Sequence, residues 1–163
     1  MADEGGTQTS WTMAGINTSV DLDGGVLVGD DGSHAAFEAM RYAAAEAARR
    51  GTDLHVLRAW TIPTAVRPDD VPFGVTPSVV EFQDATLAAT RRRAEAAAAD
   101  HPEVTVHAHT VFGRADRALI AAARGADILV VGSRGRSKIT SLLLGSTAAT
   151  AIREATIPVI VVR

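Results

Sequence analysis

The chain has 163 residues, 47% of them hydrophobic, and a formal net charge of −3. That is enough for one globular domain with a sizeable core, and the acidic balance argues against broad binding to nucleic acid or acidic membranes, which needs a basic face. The chain has no cysteine, which excludes disulfides, thiol catalysis and most structural zinc sites.

Residues 1–22 are rich in Gly, Thr, Ser and Asp and show no periodicity, so they read as a disordered tail, with Trp11 its one large apolar residue. They lack the charged and apolar regions of a signal peptide, and no run approaches the ~20 apolar residues of a membrane span. A cytoplasmic setting is expected. From residue 23 a single domain runs to residue 163. Val26-Leu27-Val28-Gly29-Asp30 is a short apolar strand of the kind covered on both faces. Asp31-Gly32-Ser33 turns into a helix that Ser33 can cap and that Gly51 ends. Its apolar stripe is Phe37, Met40, Ala44 and Ala47. Asp53 to Trp60 is a second strand. The Pro-rich stretch from Ile62 to Pro77 is long for a connector and suits a flap. Ser78 and Glu81 form a capping box that opens an alanine-rich helix to about Asp100. Val104 to Val111 is the third strand and Ala115 to Arg124 the third helix. Ile128 to Val131 is the fourth strand, a helix follows to about Ala155, and Val159 to Val162 is the fifth strand.

Strands alternating with amphipathic helices imply parallel strands joined by right-handed crossovers, with helices on both faces of the sheet. Ligands of such sheets bind at the C-terminal strand ends, where strand order reverses. The fourth strand runs straight into Gly132, Gly135 and Gly145-Ser146, a G-x2-G-x9-G-S pattern. Such glycines let the backbone approach a phosphate closely and adopt positive φ. Gly145-Ser146-Thr147 precedes a helix, whose first N–H groups and dipole favour an anion. Arg134, Arg136 and Lys138 add positive charge to the loop. Asp31 follows the first strand. It suits hydrogen bonds to a ribose or a metal bridging phosphates, and it suits a simple turn equally well. Asp30 stands beside it, and strand register decides which carboxylate faces the crevice. Ala59 and Trp60 end the second strand, where an apolar residue borders an adenine ring or belongs to the core.

The loop is not a Walker A motif, because Lys138 follows no glycine, and the dinucleotide fingerprint is missing after the first strand. No G-x-S-x-G elbow occurs. His107 and His109 share one strand face but have no carboxylate cluster near them in sequence, which disfavours a metal pair. Arg91-Arg92-Arg93 reads as a solvated helix face.

Three segments together resemble the universal stress protein family. Val26 to Ser33 resembles its opening strand and turn. Ile128 to Ser137 with Leu143 to Ser146 resembles its ATP-binding signature. Pro158 to Arg163 is similar to its closing strand. The resemblance implies a three-layer α/β sandwich with a five-stranded parallel sheet in the order 3-2-1-4-5, of the adenine nucleotide alpha hydrolase-like kind. It implies ATP at the strand ends, with Gly29 and Ala59 near adenine and Asp31 near ribose or Mg²⁺. Gly132, Gly135, Gly145 and Ser146 then hold phosphates, and Gly113 borders the same pocket. Val131, Arg134, Arg136 and Thr147 complete the candidate nucleotide-binding set. The family resemblance also implies a homodimer through Val159 to Val162, and a regulator rather than an efficient hydrolase. Asp30 departs from the family pattern, which has an apolar residue there, and Thr147 replaces a common valine. The expected function is therefore that of an ATP-binding stress-response regulator. A slow ATP hydrolase and a nucleotide-free interaction module are the alternatives. Nothing in the residues places a general base or an arginine finger for hydrolysis.

Overall fold

A computed structural model of the chain describes residues 14–135 and 144–163. Trp11, Arg136, Lys138 and Leu143, singled out above, lie outside the described residues, as do residues 1–13 of the expected tail. Five strands and four helices alternate as the sequence implies. They are β1 Val26–Gly29, α1 His34–Arg50, β2 Leu54–Trp60, α2 Val79–Ala97, β3 Val106–Phe112, α3 Ala115–Ala123, β4 Ile128–Gly132, α4 Ser146–Glu154 and β5 Val159–Val162. All pairings are parallel, and the sheet order is β3-β2-β1-β4-β5.

The two-residue period of the strands divides the core into two layers. Val26, Val28, Leu54, Val56, Ile128 and Val130 point to one face and meet Met40, Ala44 and Ala47 of α1 and Ala94 of α2. Leu27, Leu57, Val111, Leu129 and Val131 point to the other and meet Leu119 and Ala122 of α3 and Ala148 and Ala151 of α4. The small alanines let the helices sit close to the sheet. β1 and β4 are central and buried through most of their length, which is why they read as unbroken apolar runs.

The helix signals act as the sequence suggests. Ser33 Oγ accepts from the Ala36 amide at 3.1 Å, and Gly51 ends α1 at φ +62°. Ser78 and Glu81 satisfy each other's amides at 3.2 and 2.7 Å. The strand ends match those expected to within one residue, except at the start of β3, which differs by two. β3 starts at Val106 rather than Val104, because the Val104 amide donates to the His101 carbonyl at 3.0 Å and closes a turn.

The described part of the expected tail lies against the domain. The Phe112 amide at the β3 edge donates to the Asn17 carbonyl at 2.7 Å. Gln83 of α2 clasps the same segment: its Oε1 accepts from the Asn17 amide at 2.7 Å, and its Nε2 donates to the Gly15 carbonyl at 2.9 Å. Ile16 packs beside Trp60 and Phe82. The segment therefore covers backbone at one sheet edge, where an unpaired strand would otherwise be exposed.

Cross-strand pairing gathers three histidines. His55 is paired in register with His107, and His109 lies two residues further along β3. The His55 and His107 rings stack with centroids 4.8 Å apart, and His55 Nδ1 lies 3.1 Å from His109 Nε2. His107 Nε2 lies 2.8 Å from Asp53 Oδ2. Among the described residues no group of His, Cys, Asp or Glu is arranged to hold a metal ion. Burial, then the neighbouring charges of His55 and His107, lowers His109 from 6.5 to about 4. Burial, with His107 next, also lowers His55, against a smaller opposing effect of Asp53. A contact between two imidazoles needs one ring to keep a lone pair.

A depressed folded-state pKa favours the folded protein above the unfolded value and loses that advantage as pH falls. Stability is therefore expected to decline as pH drops from 6.5 towards about 4. Urea denaturation across that range should show a shallower decline in His109→Gln than in the parent. Equal slopes would show that the cluster does not govern acid sensitivity.

Candidate nucleotide-binding site

Strand order reverses between β1 and β4: α1 leaves β1 on one face, and α4 leaves β4 on the other. A cavity of about 220 Å³ opens at the C-terminal ends of these strands. Gly29, Asp31, Ala59, Val131, Gly132, Arg134, Gly135, Gly145, Ser146 and Thr147 all line it, so the structure brings together ten of the residues expected from sequence. Gly113 does not line it. Its φ of +147° and its amide bond to the Trp60 carbonyl at 2.9 Å turn the chain from β3 into α3. Arg136 lies outside the described residues.

One end of the cavity is apolar. Leu57 and Ala59 contribute from β2, and Ala115 and Leu119 from α3. A Cβ at Gly29 would sit 2.8 Å from Leu119 Cδ1, so the end of the Leu119 side chain occupies the space beside this glycine. Trp60 points to the opposite side from Ala59, where it is buried and meets Phe112 edge to face. The alternation of β2 thus assigns Ala59 to the cavity and Trp60 to the core.

The other end is built of backbone. Gly145 is the N-cap of α4 at φ −70°, so the helix starts at Ser146, two residues earlier than the sequence suggests. The amides of its first turn have no partner within the helix and lie at the cavity with the positive end of the dipole. Gly132 and Gly135 do not adopt positive φ, contrary to expectation. Their role is space. A Cβ at Gly132 would lie 3.2 Å from the Ala35 and Arg134 carbonyl oxygens, and one at Gly135 would lie 2.7 Å from Asp31 Oδ2. Exposed Arg134 is the cation at the cavity among the described residues.

Asp31 joins the two ends. Its Oδ1 accepts from the Ser33 amide at 2.9 Å, which shapes the turn, while its Oδ2 faces Gly135. The turn and crevice readings of Asp31 are compatible. Asp30 reaches the cavity rim, but its carboxylate points into the opposite layer and pairs with Arg93. Arg93 is accordingly not part of a solvated face, whereas Arg91 and Arg92 are exposed. The Ile62–Pro77 stretch supplies no lining residue. Arg67 ties it to itself by donating to the Pro72 and Val75 carbonyls at 2.9 and 2.7 Å, and the Val66 amide donates to Thr86 of α2 at 3.0 Å.

Sequence reasoning missed Leu57, Ala36, Ala115, Leu119 and Ala148 in the lining. Leu57 follows from Ala59 by the strand period. Ala115 and Leu119 follow from the loop that delivers α3 to the same strand ends. Ala36 and Ala148 lie in the first turns of the two helices that flank the crevice.

A doubly wound parallel sheet with a glycine-lined cleft at its switch point defines a class of small α/β proteins with a ligand site there. The model of the universal stress protein family matches residues 25–163, and the chain belongs to that family. A universal stress protein of Mycolicibacterium smegmatis is 36% identical over 138 residues, covering 85% of this chain and 45% of that protein. One of Mycobacterium tuberculosis is 35% identical over 139 residues, with the same coverage. The chain thus spans about half the length of the curated relatives it matches. A universal stress protein solved in complex with cAMP is 26% identical, with a TM-score of 0.65 over 88% of this chain and 99% of that one. The fold is also that of UspA from Lactobacillus plantarum, 22% identical with a TM-score of 0.66 over 89% of this chain and 100% of that one.

Gly135→Ala is expected to leave the thermal midpoint nearly unchanged, because the position is exposed. It should push the Asp31 carboxylate aside, and the Ser33 amide that bonds it should exchange faster with solvent. Unchanged exchange at Ser33 would show that the glycine loop yields instead.

Proposed function

We propose that this protein binds an adenine nucleotide, ATP by preference, in the cavity between β1 and β4, and acts as a stress-response regulator by holding it. The carrying observation is the pairing of opposite chemistries in one cleft. Leu57, Ala59 and Leu119 suit the faces of a base, and the glycine backbone with the α4 N-terminus suits phosphate oxygens. Asp31 between them suits a ribose hydroxyl or Mg²⁺ on the phosphates. The missing side chains at Gly132 and Gly135 let the loop after β4 lie close to the Ala35 backbone and the Asp31 carboxylate, which supports a backbone-lined phosphate end. Ser146, Thr147 and Arg134 would add hydroxyl donors and positive charge, which supports a triphosphate over a monophosphate. The 26% identical relative in complex with cAMP supports an adenine ligand at this fold.

Holding is favoured over cleavage by the carboxylates. Asp30 is engaged by Arg93, and Asp31 accepts a backbone hydrogen bond within its own turn. Neither is arranged as a general base for an attacking water. Titration calorimetry with ATP and Mg²⁺ should show saturable binding at micromolar to millimolar concentrations. Affinity should fall about tenfold in Gly135→Ala, a loss of ~1.4 kcal/mol. Absence of heat at millimolar ATP would overturn the reading. Phosphate release should stay at background; turnover abolished by Asp31→Asn would establish the hydrolase alternative.

A homodimer through β5 rests on its edge. Val159 to Val162 are partly exposed at the end of the sheet, and among the described residues β4 alone pairs with them. Pairing with a second copy would cover that edge. Light scattering at high micromolar concentration should give twice the chain mass, and a monomer there would rule the dimer out.

A further inference from the structure

The turn that carries Asp31 is held from outside the cavity by a charged cluster. The Asp30 side chain is 0% exposed, and its partners Arg58 and Arg93 are 8% and 26% exposed. Arg93 Nε lies 3.2 Å from both Asp30 oxygens, and its Nη2 lies 3.1 Å from Oδ1. The same Nη2 donates to the Ser33 carbonyl at 2.8 Å. Arg58 Nη1 stands 3.8 Å from Asp30 Oδ2. Asp30 Oδ1 also accepts from the Gly32 amide at 2.9 Å. The guanidinium of Arg93 lies 5.5 Å over the Phe37 ring, which fixes its plane.

One side chain from α2 therefore grips the first and last residues of the four-residue turn Asp30–Ser33. Gly32 within that turn has φ +82°, a conformation open to glycine, and a Cβ there would lie 3.1 Å from Arg58 Nη2. Ser33 is at once the N-cap of α1 and the donor to Asp31. A buried carboxylate needs compensation that an apolar residue would not. The fork of an arginine can bond a carboxylate and a carbonyl together, whereas an ammonium is a point charge.

We propose that Arg93 is a positioning residue: by clamping Asp30 and the Ser33 carbonyl it sets the turn that presents Asp31 to the cavity. Its consequence for ligand rests on the nucleotide reading above; its consequence for the turn does not. α2 touches the site through this clamp, since no α2 residue lines the cavity.

The test uses three variants. Arg93→Met removes the fork and leaves the Asp30 charge with Arg58 alone. Asp30→Val with Arg93→Met removes both charges, so that stability can recover while the clamp stays absent. Arg93→Lys keeps a positive charge without the fork. Amide exchange at Ser33, whose acceptor is Asp31, should accelerate at least tenfold in all three, and at Gly32, whose acceptor is Asp30, in the two variants that keep Asp30; exchange at Val28 and Leu129 in the central strands should stay unchanged in the double variant. ATP affinity should fall about tenfold in the double variant even where its thermal midpoint matches the parent. Parental Ser33 exchange in the double variant, or full rescue of exchange by lysine, would overturn the proposal and leave Arg93 as charge balance for Asp30. If the parent binds no nucleotide, the functional reading fails, and turn exchange still decides the role of Arg93.

Discussion

The parallel pairing of β1 with β4 is the constraint on which the rest of this structure depends. Val26, Leu27 and Val28 lie in register with Ile128, Leu129 and Val130, at the centre of the sheet and buried on both faces. The crossovers on either side of that pair run to opposite faces. The loops leaving β1 and β4 therefore part, and the space between them becomes the cleft. The register also decides what the cleft contains. It sets the Asp31 turn opposite Gly132 to Gly135 and brings in the free end of α4. A slip of one residue would send every core side chain of β1 into the wrong layer.

The same alternation divides labour between two neighbouring carboxylates. Asp30 continues the β1 period into the layer of α1 and α2, where Arg58 and Arg93 neutralise it. Asp31 lies past the strand and is free of that period, so it turns to the cleft. The pair thus joins the two layers of the protein at one point. Breaking such a buried pair by removing one partner costs ~3–5 kcal/mol in general, because a stranded charge remains.

The two sheet edges are treated differently. At β3 the backbone of Phe112 is met by Asn17, and Gln83 ties that segment down. Histidines 55, 107 and 109 stack on the flank of the same edge, so protonation there sets like charges against one another. At β5 the last strand has β4 on one side and half-buried aliphatics along its length. The first edge is met by the chain itself at Phe112, and the second suits a partner.

The alternation of apolar strands with alanine-rich helices and the Ser33 and Ser78 caps are local features, legible in the sequence with their consequences; the glycine spacing was legible too, though not the conformation it serves. So was the family, because its signature is carried by short contiguous segments. Other features depend on residues far apart in the chain. The engagement of Arg93 with Asp30 spans 63 positions, and no local pattern marks it off from Arg91 and Arg92. The histidine cluster arises from the register of β2 on β3, which places His55 beside His107 although the two lie far apart in sequence. The role of Gly135 as room for Asp31, rather than as a positive-φ hinge, needed the opposing loop in place. Periodicity and composition act along the chain, so the sequence by itself determined the elements, the layers and the glycine pattern after β4. Strand register and helix packing act across it, so the tertiary structure alone decided which of two aspartates faces the cleft and what holds it there.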